Sequence, residues 1–394
     1  MKLLAALLLL CGAPASAAFK VPGFELVYSY PKETTLSESD LRQAKDVWPE
    51  MIDQAKREID LEEFYCTPRP ADALEPTLQA LERAGRRGVK IRVILEEILE
   101  KASADGIARL LNIPGLELKI ADWRALTGAG IVHAKFFVVD RARAYVGSQN
   151  LDWRSLNQIH EMGLAIDWPP VVAQAQAVFD HDWRIAGSSV AVAPDNAARP
   201  RPADRSARAY LVASPWRYDP PGVGDSEREL ARLIGEAREE IDAQNLEYLP
   251  LTYTHPPRYY PVIDTALRAA AARGVKINLL VSNWTTEEPG VKYLQSLAVL
   301  PQISVRVITI PPAKEGPIPF ARVAHSKYMV VDGKTLWLGT SNWRGGYLDV
   351  SRNLDVIVRD QALAARADAV QRHLWNSPYS APLDILRTYP KPGR

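Results

Sequence analysis

His133-Ala134-Lys135-Phe136-Phe137-Val138-Val139-Asp140 is followed, after six residues, by Gly147-Ser148-Gln149-Asn150. The same pattern returns as His325-Ser326-Lys327-Tyr328-Met329-Val330-Val331-Asp332, again six residues, then Gly339-Thr340-Ser341-Asn342. Equivalent residues are a constant 192 positions apart. Each apolar run reads as a strand, so His and Lys two apart share one face and Asp lies at the strand's end. Two such copies make the chain an internal repeat.

The repeat extends outward. Arg87-Gly88-Val89-Lys90-Ile91 recurs as Arg273-Gly274-Val275-Lys276-Ile277, and Glu58-Ile59-Asp60 as Glu240-Ile241-Asp242. The order helix, strand, helix, strand in each half predicts α/β units with largely buried strands. Residues 188–208 hold Pro194, Pro200 and Pro202 without apolar periodicity and read as a linker. Arg199, Arg201, Arg205 and Arg208 in it could touch a polyanion or simply keep the linker solvated. Met1, Lys2, a Leu/Ala run and Ala15-Ser16-Ala17 read as a leader cleaved after Ala17. The expected divisions are therefore 1–17, 18–187, 188–208 and 209–394, with the product exported to a periplasmic or extracellular space. Anchoring as a lipoprotein through Cys11 is disfavoured by the bulky Leu10 before it.

The chain has 394 residues, 47% hydrophobic and 24% charged, which excludes a disordered or collagenous protein. Lys and Arg number 48 against 47 Asp and Glu, so any polyanion site must be a local concentration of charge. The two cysteines, Cys11 and Cys66, exclude a disulfide scaffold.

Brought into one cleft by the two halves, two imidazoles and two ammoniums suit a phosphodiester. Lys135, Lys327 and the amides of Asn150 and Asn342 can hold the non-bridging oxygens, while one histidine attacks phosphorus and the other protonates the leaving oxygen. The six histidines show no ligand cluster, no metal or cofactor is called for, and there is no Gly-x-Ser-x-Gly elbow or Gly-x-x-x-x-Gly-Lys loop.

The doubled His-x-Lys-x4-Asp-x6-Gly-Ser/Thr-x-Asn pattern resembles the phospholipase D superfamily. Gly147 to Leu156, Leu246-Glu247-Tyr248-Leu249-Pro250, Ile318-Pro319-Phe320-Ala321-Arg322-Val323 and Trp375-x-Ser377-Pro378-Tyr379-Ser380 are similar to its subgroup of animal endolysosomal 5′-exonucleases and poxvirus envelope phospholipases. That resemblance implies two tandem α/β domains, each a mixed sheet flanked by helices, packed with pseudo-twofold symmetry. It implies a covalent phosphodiesterase acting on single-stranded nucleic acid or, alternatively, on phospholipid with transient membrane contact; a non-catalytic binding protein is the remote alternative. The chain departs from the animal exonucleases in lacking their disulfides and in carrying a leader in place of a long anchor.

Glu161 lies 28 residues after His133, and Asn353 is its counterpart after His325. A carboxylate behind His133 would make His133 the nucleophile and His325 the general acid, the order the family also implies. Asp355 is a rival partner for His325. Ser148 and Thr340 are expected to orient the catalytic groups or touch phosphate, and Asp140 and Asp332 to hold the motif through buried hydrogen bonds or an ion pair. Trp153, Trp284, Trp343 and Tyr347 either line the cleft or pack behind it. Arg154, Arg322, Arg344 and Arg352 are candidates for local positive charge, and His255 for a loop at the substrate's end.

Overall fold

The computed structural model describes residues 18–188, 190–199, 204 and 206–393; the expected leader and Pro200, Arg201, Pro202 and Arg205 of the linker lie outside them. In the first half, seven principal strands are β1 (Phe24–Ser29), β2 (Glu58–Glu63), β3 (Lys90–Glu96), β4 (Leu116–Ala121), β5 (Phe136–Val139), β6 (Arg143–Gly147) and β7 (Glu161–Ile166). The second half has β8 (Ala209–Ser214), β9 (Glu240–Asn245), β10 (Lys276–Ser282), β11 (Ile303–Ile308), β12 (Tyr328–Val331), β13 (Thr335–Gly339) and β14 (Asn353–Arg359). The sheet orders are β1-β7-β6-β5-β2-β3-β4 and β8-β14-β13-β12-β9-β10-β11, so the two halves have one topology. Within each, β2–β3–β4 or β9–β10–β11 run parallel and the other neighbours antiparallel. The mixed sheets that the resemblance implies are present.

Strands β5 and β12, Phe-Phe-Val-Val and Tyr-Met-Val-Val, are buried at every position because both sheet faces are covered. Helices α1 (Ala44–Asp53) and α2 (Glu75–Arg86) cover the outer face of the first sheet, and α4 (Ser226–Glu236) and α5 (Val262–Ala272) that of the second. The inner faces share one core with α3 (Pro169–Ile185) and α6 (Gln361–Asn376), running from Leu26 and Phe136 through Phe179 to Val330, Leu338 and Leu374. Burying apolar surface between the halves at roughly 25 cal/mol per Å² makes their apposition part of folding.

The repeated Arg-Gly turns have a mechanical purpose. Gly88 and Gly274 adopt φ of 81° and 90°, a left-handed conformation that ends the helix before each parallel strand. Arg87 reaches back to the carbonyls of Ile52 and Ala55, and Arg273 to those of Ile234 and Ala237. Each arginine thus caps the neighbouring helix's C-terminus. Asp140 and Asp332 fix the opposite ends of β5 and β12. Asp140 accepts the backbone N–H groups of Lys56, Arg57 and Glu58, and Asp332 those of Arg238, Glu239 and Glu240. Their work is to hold a turn by its backbone, at half-buried positions and without the ion pair that was one of the sequence alternatives.

Candidate active site

His133 and Lys135 stand in the extended segment just ahead of β5, and His325 and Lys327 just ahead of β12, so the motif lies before the ladder and not within it. Both pairs point one way: Lys135 Nζ donates to the His133 carbonyl at 2.5 Å and Lys327 Nζ to that of His325 at 2.6 Å. The two halves then exchange backbone bonds. His133 N–H donates to the Arg352 carbonyl at 2.9 Å, and His325 N–H donates to the His160 carbonyl at 2.8 Å. Residues 352 and 160 are equivalent in the repeat, so each half presents its motif on a short bridge to the other.

This crossing corrects the sequence-based pairing. His133 Nδ1 lies 2.9 Å from the carboxamide oxygen of Asn353, while His325 Nδ1 lies 2.8 Å from Glu161. Glu161 and Asn353 each follow directly on a bridging residue, so each faces the other half's histidine. The expected pairing of Glu161 with His133 is overturned, and the argument built on it falls. Asp355 is no rival, because it receives Ser226 and Ser341 hydroxyls and the Thr340 N–H.

The Asn353 carboxamide is fixed from both ends: its oxygen also accepts the Thr340 hydroxyl at 2.9 Å, and its Nδ2 donates to the Tyr347 carbonyl at 2.9 Å. Glu161 accepts the Ser155 hydroxyl at 2.8 Å. Burial pushes its carboxyl up to about 7 against the pull of Lys327 and Lys135. Burial likewise brings Lys135 down to about 7 and holds Lys327 well below its ordinary range. Both imidazoles are pushed well below the usual histidine value, first by burial and then by the two lysines. Burial and the two lysines thus disfavour a charged imidazole, and an anion entering the cavity favours the protonated form.

His133, His325, Asn150 and Asn342 line one cavity of about 530 Å³. The carboxamide oxygens of Asn150 and Asn342 are buried there with no protein partner. Ser148 and Thr340 do not reach it. Both are 0% exposed; Ser148 ties to the Met162 backbone and Thr340 to Asn353 and Leu354 N–H. Their expected contact with phosphate is corrected to positioning. Among the described residues, no three His, Cys, Asp or Glu side chains gather as metal ligands.

All four arginines are engaged by protein partners, and of them Arg154 also lines the cavity. Arg352 is wholly buried on Asp182 and Asp219, Arg322 binds the carbonyls of Pro311 and Lys32, Arg154 binds Asp152 and Pro319, and Arg344 binds Glu247. Trp153 and Trp343 pack behind the motifs, whereas Trp284 and Tyr347 line the cavity. His255 sits on an exposed loop.

Sequence reasoning did not find Phe64, Leu246, Ile159 or Phe320 as lining residues. Phe64 and Leu246 had a signal: each lies four residues beyond the repeated Glu-Ile-Asp, at the end of the strand beside the motif strand.

A pair of sheets of one topology, sharing a doubled histidine–lysine site across their junction, defines a two-lobed phosphodiesterase fold. The family described as "Cardiolipin synthase, PLD-like domain" matches residues 49–183 and 230–375, and the chain belongs to that phospholipase D superfamily. It is 31% identical to phospholipase D Z of Dictyostelium discoideum over 86% of each chain. It is 32% identical to the rat 5′-3′ exonuclease PLD3, over 90% of this chain and 78% of that one. Among solved structures, phosphatidylserine synthase of Haemophilus influenzae superposes with a TM-score of 0.61 at 13% identity, covering 86% of this chain and 85% of that one. The protein is a phosphodiesterase of this superfamily, within the group that includes the animal exonucleases.

Proposed function

We propose that the protein hydrolyses phosphodiesters through a phosphohistidine on His133, without a metal, and trims single-stranded nucleic acid from its 5′ end. The observation that carries the chemistry is the inequality of the two imidazoles: one is backed by a neutral amide, the other by a buried carboxyl. Asn353 presents its oxygen, so His133 carries its proton on Nδ1 and keeps the Nε2 lone pair for phosphorus. The sequence argument placed the carboxylate behind the nucleophile; the same order of roles now rests on the opposite ground. An anionic diester offsets the lysine charges that disfavour an imidazolium, so His325 takes up a proton with Glu161 on its Nδ1 to stabilise it, ready to give it from Nε2.

His133 Nε2 bonds to phosphorus as the P–O bond to the leaving alcohol breaks. Its electron pair goes to that oxygen, which takes the proton from His325. Neutral His325 then removes a proton from water, the water oxygen bonds to phosphorus, and the P–N pair returns to His133. Lys135, Lys327, Asn150 and Asn342 hold the non-bridging oxygens through both steps.

The similarity to the rat 5′-3′ exonuclease supports nucleic acid as substrate. With Arg154, Arg322, Arg344 and Arg352 engaged, the cations left for substrate are Lys135 and Lys327, enough for a single phosphate, and this suits a strand end better than an internal segment. A phospholipase D or transphosphatidylase reading is favoured by one observation, the apolar wall of Ile159, Leu246, Val323 and Trp284. Residues 1–17 are proposed to direct export and then be removed, leaving domains 18–187 and 209–394 joined by 188–208.

Parallel assays test the reading. One arm takes a 5′-hydroxyl single-stranded oligonucleotide, the other phosphatidylcholine vesicles with ethanol as acceptor, both in EDTA. Stepwise mononucleotide release that disappears in His133→Ala is expected. Phosphatidylethanol without nucleotide release would reverse the substrate order, and loss of turnover in EDTA would end the metal-free scheme.

A further inference from the structure

Resting on the nuclease reading, we propose that Phe320 and Trp284 form the subsite for the base of the nucleotide on the leaving side of the scissile phosphate. In-line displacement puts the attacking and departing atoms on opposite sides of phosphorus. The leaving group therefore lies toward His325. The His133 side is closed by aromatic rings, with Phe64 and Tyr347 edge-on to the imidazole at 5.2 and 4.8 Å between centroids. The His325 side opens onto a small apolar cluster of Ile159, Leu246 and Val323, with Trp284 packed against it. Val323, two residues before His325, is bound through its carbonyl to the His160 N–H at 2.9 Å.

Phe320 stands at the mouth of this chamber, 58% exposed, with its backbone at φ of 58°. A bulky L-residue in the left-handed region is strained, and an exposed aromatic ring gains little from solvent. Both costs are imposed from outside the residue. Arg154 of the first half donates to the Pro319 carbonyl at 3.1 Å, and Arg322 N–H donates to the Gln158 carbonyl at 3.0 Å. The Arg322 guanidinium also holds the Lys32 carbonyl at 2.7 Å. The other half of the molecule thus fixes the ring over the cavity. Phe320 and Trp284 stand 6.5 Å apart at 85°. A planar ring entering that corner stacks on one and meets the edge of the other, the two favoured aromatic geometries. An alkyl chain has no use for the right angle, and so the corner fits a nucleobase.

The test compares two dinucleoside monophosphates, one with a base and one abasic on the leaving nucleoside, by kcat/KM. The wild-type protein should prefer the base-bearing substrate by about tenfold or more, the range of base–aromatic stacking. Phe320→Leu should remove most of that preference, and Phe320→Tyr should keep it; thermal melts confirm that both are folded. Equal rates on the two substrates by wild type would overturn the subsite while leaving the nuclease reading intact. Cleavage of neither, with phosphatidylcholine turned over, would overturn the nuclease reading and the subsite together. A loss of lipid turnover in Phe320→Leu would then assign the corner to an acyl chain.

Discussion

Arg352 and His160 occupy the same place in the two halves, and they solve the same problem differently. Each lends its carbonyl to the backbone N–H of the other half's motif histidine and is followed by that histidine's side-chain partner. Arg352 is locked by Asp182 and Asp219, with further bonds to the Ser214 and Tyr218 carbonyls. His160 meets Ser326 at 3.1 Å through Nδ1 and leaves Nε2 without a partner. One bridge is an ionic clamp and the other a neutral contact. The half-sites diverge in the same sense: an amide behind His133 and a titratable carboxyl behind His325. A duplicated fold gives two equal positions, and a reaction with unequal roles is served by dressing them differently.

The comparison breaks first at the histidines. His133→Ala should abolish turnover of every substrate. His325→Ala should slow an unactivated diester by about 10²–10⁴-fold. It should largely spare the first-turnover burst of 4-nitrophenolate from an activated ester, whose leaving group departs without a proton, and slow the hydrolysis that follows. Burst and steady-state rates on the two substrates decide this, and loss of the burst in both variants alike would refute the division of roles.

The clamps come next. Arg352→Ala leaves Asp182 and Asp219 buried without their cation and should cost about 3–5 kcal/mol in urea unfolding. His160→Phe should cost no more than about 1–2 kcal/mol, since one ring nitrogen is already unpartnered. Comparable losses would show that the two bridges bear equal weight.

At the partners, Glu161→Gln should lower turnover of unactivated substrate by about 10–100-fold and spare the first-turnover burst from the nitrophenyl ester, by analogy with other groups that orient a functional histidine. Asn353→Asp should slow both, because a carboxylate there would hold His133 protonated at the nitrogen that attacks. Rates for this pair on both esters would sharpen the contrast.

The most gradual effect is on pH. Burial raises Glu62 well above the carboxylate range and Asp219 to about 8, for one guanidinium cannot support three carboxyls. Neither Glu62 oxygen has a hydrogen-bond partner. The folded state keeps protons that the unfolded chain loses near its ordinary carboxyl values, so stability should fall as pH rises from about 5 to 8. The slope should be at most about 1.4 kcal/mol per unit for each proton retained. Melting temperatures across that window should show it, and Glu62→Gln should flatten the profile.

The doubled motif made much of the molecule readable in advance. Its strands are buried as expected, its halves share one sheet order, and its two histidines line one cavity with Asn150 and Asn342. Thr340 shows where legibility ended: as a motif residue it looked able to reach phosphate, but it lies wholly buried and steers Asn353. The arginines near the motifs, candidates for local charge, proved to be tied to protein partners, with Arg154 alone of the four at the cavity wall.

Sequence by itself determined the repeat, the α/β character of both halves and the doubled motif, because helix and strand patterns and motif spacing are local and each half writes them in full. Tertiary structure alone decided that Glu161 serves His325 and Asn353 serves His133. That pairing is made by backbone bonds across the junction of the halves, between residues 164 and 220 positions apart, and no local pattern carries it.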